Sequence, residues 1–189
     1  MSLNKTALEI LDIAENLTQT VGFNAFSYKD IQREVGVKTS SIHYYFPTKQ
    51  DLATAIAKRY TDRFLSELDS INAKCKSGLE KLEGISKIFI DVSNANKLCL
   101  CGMLSSEILS LPEEGTAELR RFYAKTEAWI SIAISQGIEE GDLKQVPSIS
   151  DSAIAFLASL EGAILIARTR NNKDYIQVAT NQAVNLLRK

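Results

Sequence analysis

The chain of 189 residues is poor in the side chains that most often do chemistry: it has one histidine, one tryptophan, three cysteines and three prolines. His43 is the only imidazole, and the pair Cys99-Leu100-Cys101 has no second pair of ligands near it, so catalysis has little to stand on and a zinc site is not expected. The nucleophile elbow Gly-x-Ser-x-Gly, the phosphate-cradling Gly-x-x-x-x-Gly-Lys and the Rossmann glycine pattern are all missing. Acidic residues are scattered at helix-surface spacing, where solvation and i,i+4 pairing account for them. No enzyme, cofactor or metal is therefore expected. An odd number of cysteines without a basic-apolar-small leader pattern points to a reducing cytoplasm rather than a disulfide framework. No apolar run approaches the roughly 18 residues of a membrane span, so no membrane partner is expected. With a net charge of −1 the chain is not a non-specific coat for nucleic acid, although a local cationic rim would still serve sequence-specific binding. Few prolines and nine glycines, with little β-branched alternation, favour helices throughout.

What the chain does have is the stretch SYKDIQREVGVKTSSIHYYFPTKQDL, from Ser27 to Leu52. Ser27 and Asp30 have the spacing of a capping box, in which a hydroxyl and a carboxylate satisfy the free N–H groups of a helix start. Ile31 and Val35 give that helix an apolar face, and Gly36 supplies the left-handed residue that ends it. After a turn of about three residues a second helix begins near Thr39 and ends at Phe46, because Pro47 disfavours helical geometry in the residue before it. Thr48 and Asp51 form a second capping box for the next helix. On the second helix Ile42, Tyr45 and Phe46 share one side, while Thr39, Ser40, His43 and Tyr44 share the other. Hydroxyls, an imidazole and a phenol can donate, accept and touch a thymine methyl, as reading of the major groove requires. No acid lies between Val35 and Gln50, and Lys38 and Lys49 bracket the helix. A solvated surface helix of an unrelated bundle would show some of the same pattern.

The run VGVKTSSIHYYFPTKQDL resembles the helix-turn-helix signature of the tetracycline-repressor (TetR) family of bacterial transcription regulators. About 45 N-terminal residues resemble it well, the Phe-Pro-x-Lys-x-x-Leu step from Phe46 to Leu52 included, and the remainder more loosely by helix order. The resemblance implies phosphate contacts from Ser27, with Tyr28 beside it, and from Tyr44, Tyr45 and Lys49. It implies base contacts from Thr39, Ser40 and His43, with Lys38 at the cationic edge. Lys38 departs from the family, which usually has a serine-like cap there; Thr39 is the alternative cap, at the expense of its base contact. Tyr45 has a spacing that equally suits core packing.

Ala7, Ile10, Leu11, Ala14, Leu17 and Val21 recur every 3.6 residues and predict a helix from Asn4 to Val21, closed by Gly22. With the two helices after it, this gives a head of about 46 residues, near the lower limit for independent stability. The predicted division is 1–48 for the helix-turn-helix head and 49–189 for a helical body that binds an effector and dimerises. In that body, a helix from Lys49 carries Leu52, Ile56, Tyr60, Phe64, Leu68 and Ile71. Ser77 and Glu80 cap a helix bearing Leu82, Ile85 and Phe89. A loop is expected at 93–97, a short helix from Gly102 to Leu111 stopped by Pro112, and a long one from Thr116 to Glu140. The segment from Ile149 to Thr169 is apolar around most of its circumference and so wants partners on both sides. A last helix runs from Tyr175 to Leu187. The expectation is an all-α chain of about nine helices.

In the TetR family the last two helices pair with their copies in a homodimer, and a closed two-fold dimer is the commonest oligomer. The resemblance also implies a small-molecule pocket in the body, with Phe64, Phe89, Val92, Met103, Phe122 and Trp129 as candidate walls; apolar stripes at this spacing serve equally as ordinary core. Few charges on those faces favour an apolar or aromatic ligand. The phrase from Leu98 to Glu114, with Cys99-Leu100-Cys101, resembles a subgroup in which a cysteine at the Cys99 position senses electrophiles. Its place at a helix start beside Lys97 would favour a thiolate, whereas buried free cysteine packs as an inert hydrophobe. The function expected is a cytoplasmic DNA-binding repressor, released from a pseudo-palindromic operator by a small apolar ligand or a thiol-reactive signal. The alternatives are a helical protein–protein adaptor that does not bind DNA and, less favoured, a small helical enzyme.

Overall fold

Asn4 accepts a hydrogen bond from the Ala7 backbone N–H at 3.0 Å, which opens the first helix, α1, over Lys5–Val21. The structure, a computed structural model, describes residues 4–189 and, of Lys173, the backbone alone. Its described residues are all-α: α1 is followed by α2 (Tyr28–Val35), α3 (Thr39–Tyr45), α4 (Lys49–Lys74), α5 (Gly78–Asn94), α6 (Leu100–Ser105), α7 (Glu113–Glu140), α8 (Ile149–Thr169) and α9 (Lys173–Asn185). Single 3-10 turns lie at Phe23–Ala25 and Ile108–Ser110. The chain divides into two compact units. One runs to Asp62 and resumes over Leu100–Arg121; the other holds Arg63–Cys99 and Phe122–Lys189. Each unit is thus drawn from two separate stretches of the chain.

In the first unit, Ala7, Ile10, Leu11 and Ala14 of α1 are fully buried with Ile31 of α2, Ile42 of α3 and Leu52 and Ile56 of α4. Burying branched aliphatic side chains is worth about 1.5–3 kcal/mol each, so this shared cluster is what holds three short helices together. Gly36 ends α2 at φ +77°, a left-handed conformation that costs glycine little. Arg59 of α4 donates from Nε to Glu15 of α1 at 2.5 Å and also pairs with Asp12, fixing α4's first turns against α1.

In the second unit, Gly78 at the start of α5 lies against α7 so closely that a Cβ there would stand 2.2 Å from the Ala133 carbonyl oxygen and 2.3 Å from the Gly137 nitrogen. Only glycine fits, and the Gly78 N–H donates to Glu140 at 2.9 Å. Phe156, Leu157, Leu160 and Ile164 of α8 are buried, and α8 packs on α5 and α9. The chain's end pairs with the α7–α8 loop, Lys144 N–H donating to Leu187 and Lys189 N–H to Asp142.

Helix limits differ from the sequence expectations at several places, the last helix among them, which is Lys173–Asn185 rather than Tyr175 to Leu187. The helix expected from Gly102 to Leu111 is α6 over Leu100–Ser105 and then a separate 3-10 turn. The loop expected at 93–97 starts later, because α5 continues to Asn94. Helix α7 starts at Glu113 rather than Thr116, since Pro112 acts as its entry: the Pro112 carbonyl accepts the Thr116 N–H at 3.0 Å. The expectation that nothing is apolar enough to span a membrane is also corrected. By length and composition α8 qualifies, with a mean hydropathy of 1.6 over its best window. Core helices of soluble proteins pass the same test, and the buried side of α8 packs as one.

Candidate nucleic-acid interface and effector region

The α2–α3 pair is built by local chemistry. Ser27 donates from both its backbone N–H and its hydroxyl to the Asp30 carboxylate, each at 2.7 Å. These bonds hold Asp30 charged and its pKa below the usual carboxylate range, with Arg33 adding a smaller pull. Thr48 and Asp51 repeat the arrangement at the start of α4 (2.9 Å from the Thr48 N–H, 2.7 Å from its hydroxyl). A carboxylate at each helix start is also where the helix dipole favours it.

Two candidate contact residues turn out to hold the head together. Tyr28 is buried, and its hydroxyl lies 2.8 Å from the Phe46 carbonyl oxygen and 2.6 Å from that of Thr48. Burial, with the Asp51 charge second, raises the Tyr28 pKa, so the phenol keeps its proton and donates. It thus fixes the turn after α3 to the start of α2. Lys49 donates from Nζ to the carbonyl oxygens of Phe23 and Phe26, both at 2.5 Å, and sits over both rings at 4.7 and 4.6 Å. Desolvation pulls its pKa down, against the attraction of Glu107 and Asp30. These contacts engage two of the ammonium's three donors and hold it over two aromatic faces, so a phosphate contact from Lys49 would draw on the third donor or displace one of these partners.

The remaining candidates lie on or beside the outer side of α3. Ser40, His43 and Lys38 are exposed, and Tyr44 is 80% exposed. His43 places Nδ1 3.1 Å from the Pro47 carbonyl oxygen, and its ring 4.7 Å from that of Tyr28. A carbonyl only accepts, so Nδ1 carries the proton in this contact. Thr39 donates to the Gln32 side chain, and Tyr45 accepts from Asn4, so each has one polar group engaged within the unit. Lys38 occupies the cap position through its backbone alone. Ile42 beneath them is fully buried and sets which side of α3 faces outward.

In the second unit Phe64, Phe89 and Phe122 are buried and pack on one another, with ring centres 6.3 Å apart for Phe64–Phe89 and 4.9 Å for Phe64–Phe122. Val92 and Trp129 are half-buried. Met103 belongs to the first unit, where its methyl group lies near Gly22. Cys99 immediately precedes α6 and is 2% exposed; Cys101 is buried as well, and Cys75 is half-buried. The Cys99 thiol hydrogen-bonds the Glu161 carboxyl of α8. A shielded thiol beside a carboxyl lacks the exposed, cationic surroundings that activate cysteines.

Glu161 escaped the sequence reading, though a signal was there: it is the only charged residue between Asp151 and Arg168 on α8. The Lys49 lock and the role of Tyr28 were not foreseeable, because their partners are carbonyls 18 to 26 positions away.

Residues 10–56 match the pattern described as "Bacterial regulatory proteins, tetR family", and residues 78–183 match that of the "Tetracyclin repressor-like, C-terminal domain". The chain is 24% identical over 189 residues to an uncharacterised HTH-type transcriptional regulator, YxaF, of Bacillus subtilis (strain 168), covering 96% of this chain and 94% of that one. The crystal structure of a TetR-family transcriptional regulator from Agrobacterium tumefaciens superimposes with a TM-score of 0.92 at 28% identity, over 97% of this chain and 98% of that chain. A TetR transcriptional regulator from Legionella pneumophila does so with a TM-score of 0.86 at 29% identity over the whole of both chains.

Proposed function

The chain belongs to the tetR family of bacterial regulatory proteins, and we propose that it acts as a cytoplasmic repressor that binds a pseudo-palindromic operator as a homodimer and leaves it when a small molecule binds the second unit. The observation that carries this reading is the outer side of α3. Ser40, His43 and Tyr44 are exposed on a helix whose other side is anchored by Ile42, so they can present polar groups to base edges and phosphates, His43 through the nitrogen that does not face Pro47. Ser27 and Lys38 lie beside them as candidate phosphate contacts. Thr39 and Tyr45 become contacts only by exchanging the partners they now have.

Dimerisation rests on α8 and α9. Ile154, Leu165 and Ile166 of α8 are exposed, as are Val178 of α9 and Leu186 just beyond it, while the opposite side of α8 is buried in its own chain. Exposed branched residues on two adjacent helices favour a second copy as cover. Operator release follows if the ligand binds one of two conformations better, since it shifts the equilibrium only by that difference in affinity. A non-covalent ligand is favoured over thiol modification because Cys99 is shut off from solvent. Retention on duplex carrying the site, and not on a scrambled duplex of the same composition, tests the reading against a helical adaptor. Equal retention on both would overturn it.

A further inference from the structure

Helix α8 carries one acid within a long apolar stretch. Leu157 and Ile164, four residues before and three after Glu161, lie on the same helical side and are buried. The Glu161 oxygen Oε1 is closed off from solvent and has no hydrogen-bond partner among the described residues, although the Cys99 thiol bonds the same carboxyl. In the same unit the Trp129 indole Nε1 is also closed off and has no hydrogen-bond partner among the described residues. An acid on an apolar helix, with no cation paired to it among the described residues, is costly whenever it ionises. Burial accordingly pushes its pKa up to about 7, against the opposing pull of the thiol's hydrogen bond. A simple core position would be served better by leucine or methionine, so the carboxyl is the feature that needs an occupant.

We propose that Glu161 anchors the effector of this regulator, and that the effector class is an apolar molecule carrying one protonated amine. Leu157 and Ile164 would meet its hydrocarbon body, and Glu161 Oε1 would take the ammonium. The inference rests on the effector-responsive reading above and names the chemistry of its ligand. Neutral apolar molecules lack the charge that would compensate the carboxylate, and anions would be repelled by it.

The test uses the full-length protein and a series of phenylalkylamines from phenethylamine to 6-phenylhexylamine, each beside the corresponding neutral phenylalkanol. Binding is followed by calorimetry and by the fluorescence of Trp129, the only tryptophan. At least one amine is expected to bind about tenfold or more tighter than its alcohol, because it supplies the missing charge partner. Glu161→Gln should remove that preference and leave alcohol binding unchanged. An amine that captures the ionised carboxylate must displace its proton. Calorimetry of the wild-type protein between pH 5 and 8, in buffers of different ionisation enthalpy, should therefore show proton release on amine binding that grows as pH falls, because burial favours the protonated carboxyl in the free protein. This second measurement needs no variant and stands if Glu161→Gln folds poorly. No binding by any amine, equal binding of amine and alcohol, or binding without proton release would overturn the proposal and leave Glu161 as a core carboxyl satisfied by water. Operator retention on the same preparation separates the two readings: DNA bound without amine binding removes only the anchor, whereas amine binding without DNA binding removes the regulator reading.

Discussion

The Lys49 ammonium donates to the Phe23 carbonyl oxygen at 2.5 Å while standing 4.7 Å from the centre of the same residue's ring. With Phe26 contributing the same pair of contacts, Lys49 closes the turn between α1 and α2 from the start of α4. Charged hydrogen bonds of this kind contribute about 1.5–3 kcal/mol and a partly desolvated cation–π contact about 1–2 kcal/mol. Lys49→Met should therefore destabilise the protein by about 2–3 kcal/mol in urea unfolding. The slope of log affinity against log salt for operator DNA should stay unchanged. A slope smaller by about one counterion with stability intact would return Lys49 to the phosphates.

Tyr28→Phe removes a hydroxyl that serves two carbonyls and should cost about 1–2 kcal/mol. The sign with pH is fixed by the raised pKa. The folded state holds the phenol proton more tightly than the unfolded chain, whose value is the ordinary 10.0. The stability difference between wild type and Tyr28→Phe should be complete below pH 10 and shrink as pH rises above it. A difference that grows between pH 10 and 11 would contradict the assignment.

Ser40→Ala and His43→Ala should each change which bases are preferred at one position per half-site, by about 1–3 kcal/mol if a good base contact is lost. Lys38→Ala should instead weaken binding similarly across sequences and lower the salt slope by about one. Selection profiles of the three variants measure both effects. Unchanged base preference in Ser40→Ala and His43→Ala together would mean that α3 does not read bases.

Adjacent residues of α8 should behave in opposite ways. Ile164 is 1% exposed and Leu165 51% exposed within the single chain. Leu165→Asp should yield a helical, folded monomer without operator affinity, whereas Ile164→Asp should lose the fold, since a buried unpaired charge costs several kcal/mol. Sedimentation and circular dichroism together separate these outcomes. A dimeric Leu165→Asp protein would place the dimer contact elsewhere.

Iodoacetamide should label Cys75 first in the folded protein, because Cys99 and Cys101 are buried. Peptide mapping over time reads the order. Fast labelling of Cys99 accompanied by DNA release would restore the thiol signal suggested by its position before α6.

The parts of this structure legible in the sequence are those fixed within a few residues of the chain. The boxes at Ser27–Asp30, Thr48–Asp51 and Ser77–Glu80 and the glycine stop at Gly36 have local causes, and each sits where its spacing put it. The limits of α8 followed from its apolar run in the same way. What needed coordinates was the choice of partner across the fold. A lysine after a Phe-Pro step reads as a phosphate ligand, and nothing local to it shows that Phe23 and Phe26 also engage it. The sequence also cannot tell Ile164 from Leu165, because α8 is apolar on nearly every side and its pattern does not show which side its own monomer covers. Pro112 has the sequence appearance of a helix stop, although proline serves equally as the entry to a helix.

If two copies of this chain read two related half-sites through α3, selection of bound duplexes from a random pool by the wild-type protein should recover a site with two-fold sequence symmetry, with half-site centres about one helical turn or somewhat more apart. Sedimentation of the complex with the recovered sequence should show protein bound in whole dimers. Recovery of asymmetric or random sequences, or a complex with a single copy on the recovered site, would contradict this reading.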